Sequence, residues 1–122
     1  MKDAEGPHFR RSFGHALRGV GWMVRHEPNM RVHLIATTGV MAAAGLLRLP
    51  VTQWAALVFA ITLVLLGEIL NTAIEAVLDL VQPTQHPLVK VVKDVAAGAV
   101  LVAAVGSFVI ALLVFVPAIA AR

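Results

Sequence analysis

Cysteine is absent from this 122-residue chain, and only 14% of its residues are charged. Without thiols, neither disulfides nor cysteine-ligated metals can contribute, and the redox compartment is left open. The scarcity of charge, set beside 59% hydrophobic residues and a mean hydropathy of +0.85, excludes an ordinary soluble domain. Such a chain needs lipid around it, and its length suits one domain, residues 1–122. The N-terminal part lacks the continuous apolar stretch of a signal peptide, because Arg10, Arg11, Arg18 and Arg25 interrupt it, so no cleaved leader is expected. Walker, GxGxxG and HRD-type loops are missing too, which excludes a soluble-kinase fold and leaves any nucleotide to be bound by membrane helices.

The uncharged runs extend from Val32 to Leu47, from Val51 to Gly67 and from Val95 to Ala121. A helix needs roughly 20 apolar residues to span a bilayer, fewer when flanking groups snorkel. The runs therefore predict an all-α integral membrane protein with three transmembrane helices at about 29–47, 51–81 and 88–117, the second projecting from the hydrocarbon at its far end. RLPVTQ and QPTQHP form the turns, with Pro50, Pro83 and Pro87 as breakers. Lys2, Arg10, Arg11, Arg18, Arg25 and Arg31 precede the first span and Lys90 and Lys93 precede the third, leaving Arg48 and Arg122 for the other side. The bias places the N-terminus and QPTQHP in the cytoplasm.

Before the first span, over about 7–27, Phe9, Phe13, Leu17, Val20 and Val24 form one stripe and Arg11, His15, Arg18, Trp22 and Arg25 another. This pattern predicts an N-terminal amphipathic surface helix in the headgroup layer, acting as a simple anchor or as a binder of a phosphorylated ligand.

Polar residues concentrate in GEILNTAIEAVLDL, from Gly67 to Leu80. At 100° per residue, Glu68, Glu75 and Asp79 fall within about 20° of one line, with Asn71 on its flank. Each carboxylate facing hydrocarbon would cost about 2.5–3.5 kcal/mol on insertion scales, so this face must meet protein, water or a cation. Glu75 and Asp79 can also be read as solvated charges paired with Lys90 or Lys93 across the turn. Glu68, deeper and flanked by Leu65, Leu66, Ile69 and Leu70, suits a general base. Oxygen ligands without cysteine or a His-x-x-x-His pattern suit a hard cation such as Mg²⁺, which often arrives with phosphates. Glu27 adds an acid at the same membrane level, and Lys93 and Asp94 open the third span on the same side. These groups fit phosphoryl transfer at the interface better than transport, because the outer halves of the spans offer little beyond Thr52, Gln53 and Ser107. A non-enzymatic scaffold whose acids pair with a partner is the third class.

EILNTAIEAVLDL, followed by HPLVKVVKDVAAGAVLVAA, closely resembles the signature of the prokaryotic diacylglycerol kinase family, the small bacterial membrane lipid kinases. RHEPNMRVH and SFGHALRGVGW extend the similarity to about residues 12–117. The resemblance implies a homotrimeric helical bundle with shared active sites that uses ATP and Mg²⁺ to phosphorylate a lipid alcohol at the cytoplasmic membrane, with no nucleic-acid partner. Matched residue by residue, it implies Glu68 as base, Asn71 beside it, Glu27 and Glu75 as metal-binding carboxylates and Lys93 and Asp94 as the phosphate-handling pair. His86 and His15 fall at nucleotide-contact positions. HEPNMRVH and HPLVKVVKDVAAGAVLVAA resemble the branch that prefers undecaprenol, with diacylglycerol as the alternative substrate. Ala99, Ala103 and Ser107, at four-residue spacing, would allow close packing between subunits or within one.

Overall fold

The computed structural model of the chain describes residues 5–122, and side chains from residue 8 onward; Lys2, one of the cations counted above, lies outside the described residues. Four helices follow one another: α1 (Glu5–His26), α2 (Pro28–Leu46), α3 (Val51–Val81) and α4 (Pro87–Ala120). The fold is all-α.

Proline writes most of the boundaries. Pro28 and Pro87 open α2 and α4 behind extended residues, Glu27 and His86, where a missing N–H costs nothing. His86 also caps α4, its Nδ1 accepting from the Leu88 N–H at 3.1 Å. At the α1–α2 elbow, the Arg31 guanidinium donates to the carbonyls of Val24 (3.0 Å) and Arg25 (2.9 Å), which satisfies the open C-terminal end of α1 with a cation. That contact pins Glu27 between the two helices.

The α2–α3 turn is a Schellman motif. Leu49 N–H reaches back to Ala44 O and Arg48 N–H to Gly45 O, both at 3.2 Å. Arg48 takes φ 53°, the left-handed conformation that glycine adopts freely and other residues at a cost. The motif folds Leu49 onto Ala44, and both join Leu57 and Val114 in the buried cluster of the bundle. Leu57 is 2% exposed. Arg122 Nη2 donates to Leu47 O at 2.7 Å, so the C-terminus returns to this turn.

α3 and α4 are antiparallel and in contact along most of their length, from the Lys93–Asp79 pair at one end through Gly67 against Val100 to Ser107, whose hydroxyl donates to Ala60 O at 2.9 Å. A methyl group at Gly67 would meet Val100 Cα at 3.8 Å and Ala103 Cβ at 3.9 Å, ordinary van der Waals contact, so the two helices lie close together here. Ala103 and Ser107 thus pack within one chain. Thr38 and Thr62 satisfy their hydroxyls on the carbonyls four residues back, Leu34 and Val58.

Among the described residues, α3 and α4 are the two helices long and apolar enough to cross a membrane by length and composition. α2, 19 residues long, carries Asn29, Arg31 and His33 in its first two turns, which lowers its apolarity. On α1, Phe9, Phe13, Leu17 and Val20 lie exposed along one stripe with no protein covering them.

Replacing Arg48 by Gly relieves the left-handed residue and raises thermal stability in detergent micelles, while Arg48→Val lowers it, each by about 1 kcal/mol. Paired thermal unfolding curves check the sign of both.

Candidate functional site

Glu68 is 7% exposed, the one buried charged residue among the described residues. It lies beside Gly67, on the side of α3 that faces its neighbours. Oε1 of Glu68 meets Nε2 of His33, from α2, at 3.2 Å. The spacing of the acids does not point to His33. A titratable ring one residue inside an otherwise uncharged run is the signal that could have found it.

One turn further along α3, the Asn71 amide nitrogen donates to Glu75 Oε1 at 3.3 Å, and its buried Oδ1 has no partner in the chain. Glu75 itself is exposed. The amide is therefore oriented by the acid below it, with its own carbonyl oxygen left unengaged. Glu27, half-buried at the α1–α2 elbow, makes no side-chain cap to α2. Six residues separate Glu27 from His33 and seven separate Glu75 from Glu68. Because α2 and α3 run antiparallel, both acids sit about 10 Å beyond the His33–Glu68 contact, on the same side of it.

Still further toward the turn, Lys93 Nζ meets Asp79 Oδ1 at 2.7 Å, and Lys90 Nζ meets Asp94 Oδ2 at 2.8 Å. Asp79 is therefore an exposed charge paired across the turn, the solvated alternative read from the sequence, and it does not share a contact with Glu68 or Glu75. Asp79, His86, Lys90, Lys93 and Asp94 line one open cleft of about 750 Å³ at the α3–α4 turn. With Nδ1 of His86 used in capping, Nε2 is free to face a ligand. His15 lies apart on α1, exposed, 3.1 Å from Arg18 Nη1.

A second cavity runs in the other direction. About 330 Å³ in volume, it is an apolar groove between α2, α3 and α4 that has His33 in its lining together with Val40, Leu57, Val64, Ala104 and Phe108. Polar cleft, acids and apolar groove form one series along the bundle, with Glu68 and His33 where groove and acids meet.

No group of three or more His, Asp or Glu residues arranged to hold a metal occurs among the described residues. Glu27 and Glu75 are hard oxygen donors, the type that an ion taking one or two carboxylates and filling its remaining positions with phosphate and water oxygens would use.

Comparison with known proteins bears on this geometry. The family model for prokaryotic diacylglycerol kinase matches residues 14–115. An undecaprenol kinase of Bacillus subtilis is 42% identical over 109 residues, covering 89% of this chain and 89% of that protein. A diacylglycerol kinase of Synechocystis is 40% identical over 105 residues, covering 85% of this chain and 60% of that protein.

Since the Lys93–Asp79 pair is exposed on both sides, water solvates its charges whether or not they touch. Asp79→Asn is expected to leave thermal unfolding in micelles at physiological salt unchanged, and a marked drop would mean that the pair holds α3 and α4 together.

Proposed function

This chain belongs to the prokaryotic diacylglycerol kinase family and is a lipid kinase, and we propose that it transfers the γ-phosphoryl group of ATP to the hydroxyl of undecaprenol. The observation that carries the reading is Glu68, a buried acid whose partner His33 lines an apolar groove, with further polar groups along α3 leading toward the cleft at the α3–α4 turn. The undecaprenol kinase relative, similar along nearly the whole chain, favours that alcohol over diacylglycerol. The family and the two long apolar helices make this a membrane protein.

In this proposal α2, α3 and α4 all cross the bacterial cytoplasmic membrane, α2 using Arg31 and His33 at its wet end, and α1 lies in the headgroup layer on its exposed Phe9–Val20 stripe. The N-terminus and QPTQHP face the cytoplasm. Three copies assemble into a homotrimer whose sites lie between subunits, since one bundle leaves its groove and cleft open.

ATP occupies the cleft, with His86 and, from α1, His15 near the nucleoside end and Lys93 and Asp94 near the phosphates. Lys93 exchanges Asp79 for a phosphate oxygen, one anion for another. Glu27 and Glu75 would hold Mg²⁺, which would supply positive charge to offset that of the phosphates. The alcohol enters from the groove with its hydroxyl toward Glu68. As the hydroxyl oxygen bonds to the γ-phosphorus and the bond to ADP breaks, the hydroxyl proton passes to the free oxygen of Glu68. Asn71, oriented by Glu75, stands between base and phosphates and can donate to the transferring group.

The test is ATP-dependent phosphorylation of undecaprenol and diacylglycerol side by side in micelles. Undecaprenol is the better acceptor, and Glu68→Gln lowers its rate at least about 100-fold, as loss of a general base does. A faster rate on diacylglycerol would move the assignment to that alcohol, and full activity of the variant would remove Glu68 as base. Glu27→Gln and Glu75→Gln raise the Mg²⁺ concentration needed for half-maximal rate, and chelation by EDTA stops the reaction.

A further inference from the structure

We propose that His33 is the positioning partner of Glu68, holding one carboxylate oxygen so that the acid presents its other oxygen to the lipid hydroxyl. The inference deepens the reading of Glu68 as base and rests on it.

Among the described residues His33 is the one side chain hydrogen-bonded to the Glu68 carboxylate, at 3.2 Å. The contact is part-buried, with side-chain exposures of 29% for His33 and 10% for Glu68. An ionised carboxylate in such a place is disfavoured unless a donor or a cation compensates it. The cations that could do so are engaged elsewhere. Arg31 donates to the Val24 and Arg25 carbonyls, Lys93 pairs with Asp79, and Lys90 pairs with Asp94. The neighbouring amide, on Asn71, is turned to Glu75. α4 brings Val100 and Ala103 against Gly67, with no polar group at that level. Among the described residues, only the His33 imidazole meets the Glu68 carboxylate.

The direction of the contact matters as much as its charge. Nε2 must carry the hydrogen to donate to Oε1, whether the ring is neutral or protonated. With Oε1 so occupied, Oε2 is the oxygen left to accept a proton. Because His33 also lines the groove, it touches both the acid and the channel along which an alcohol would approach. Remove the donor, and the acid can swing about its own side-chain torsions, which spoils its aim at the hydroxyl while leaving the cleft at the other end of the series untouched.

The experiment compares the wild type with His33→Gln, His33→Asn, His33→Leu and Glu68→Gln, using undecaprenol and MgATP in micelles with thermal unfolding measured in parallel. Glutamine places an amide N–H near the position of Nε2, whereas asparagine, one methylene shorter, keeps the polarity but falls short of Oε1. Gln is expected to retain most of kcat, while Asn and Leu lower it about tenfold or more with the KM for ATP nearly unchanged. Equal kcat in Gln and Asn variants, whether high or low, overturns the proposal, as does a loss that follows unfolding temperature and not donor reach. Should Glu68→Gln retain full activity, the base assignment falls and the positioning role with it. An inactive Glu68→Gln beside a fully active His33→Asn removes the positioning role alone.

Discussion

The enclosure of one carboxylate among apolar helices governs the arrangement of this protein. An acid at the level of Glu68 is tolerable only if something replaces the water it has lost, and the bundle supplies a single donor, His33. For that donor to reach, α2 must pass close to α3 at this level. For the enclosure to close, α4 must approach from the other side, where Val100 and Ala103 lie against Gly67. α2, α3 and α4 thus each contribute at one point to the same environment. The apolar groove follows from it, since small residues that let the helices meet near Glu68 leave space between them further along.

The two ends of the bundle have different chemistry because their helix ends are finished differently. At the α2–α3 turn a Schellman motif and the Arg122 contact to Leu47 use up the available carbonyls and fold Leu49 inward, making an end that is closed and sealed by apolar packing. At the other end, the α3–α4 turn leaves charged side chains arrayed around an open cleft. Arg31 is the hinge between structure and site here, because by capping α1 it fixes where Glu27 stands. In the proposed reaction the polyphosphate takes the open end and the alkyl chain the groove, with the acids between them.

How far the site was legible differs from residue to residue. That Glu68 faces protein followed from its neighbours Leu65, Leu66, Ile69 and Leu70, since a carboxylate in such a run cannot face lipid cheaply. For Asp79 the helical spacing was true but insufficient: it put the residue on the same line as Glu68 and Glu75, whereas its distance along the axis puts it beside Lys93 instead. Ala103 and Ser107 could serve contacts between chains or within one, and the Ser107 bond to Ala60 shows them used within. His33 escaped notice because a helix repeat relates residues on one helix, and its partner is on another.

The sequence by itself determined the class: long apolar helices, proline-defined turns, one acidic face and the bias of cations toward one end are all local or periodic properties of the chain. Only the tertiary structure decided which charges meet. Pairings between helices depend on relative height and rotation once the backbones pack, and these are set by Gly67, the Schellman turn and the Arg31 cap acting together, not by any spacing that can be counted along a single helix.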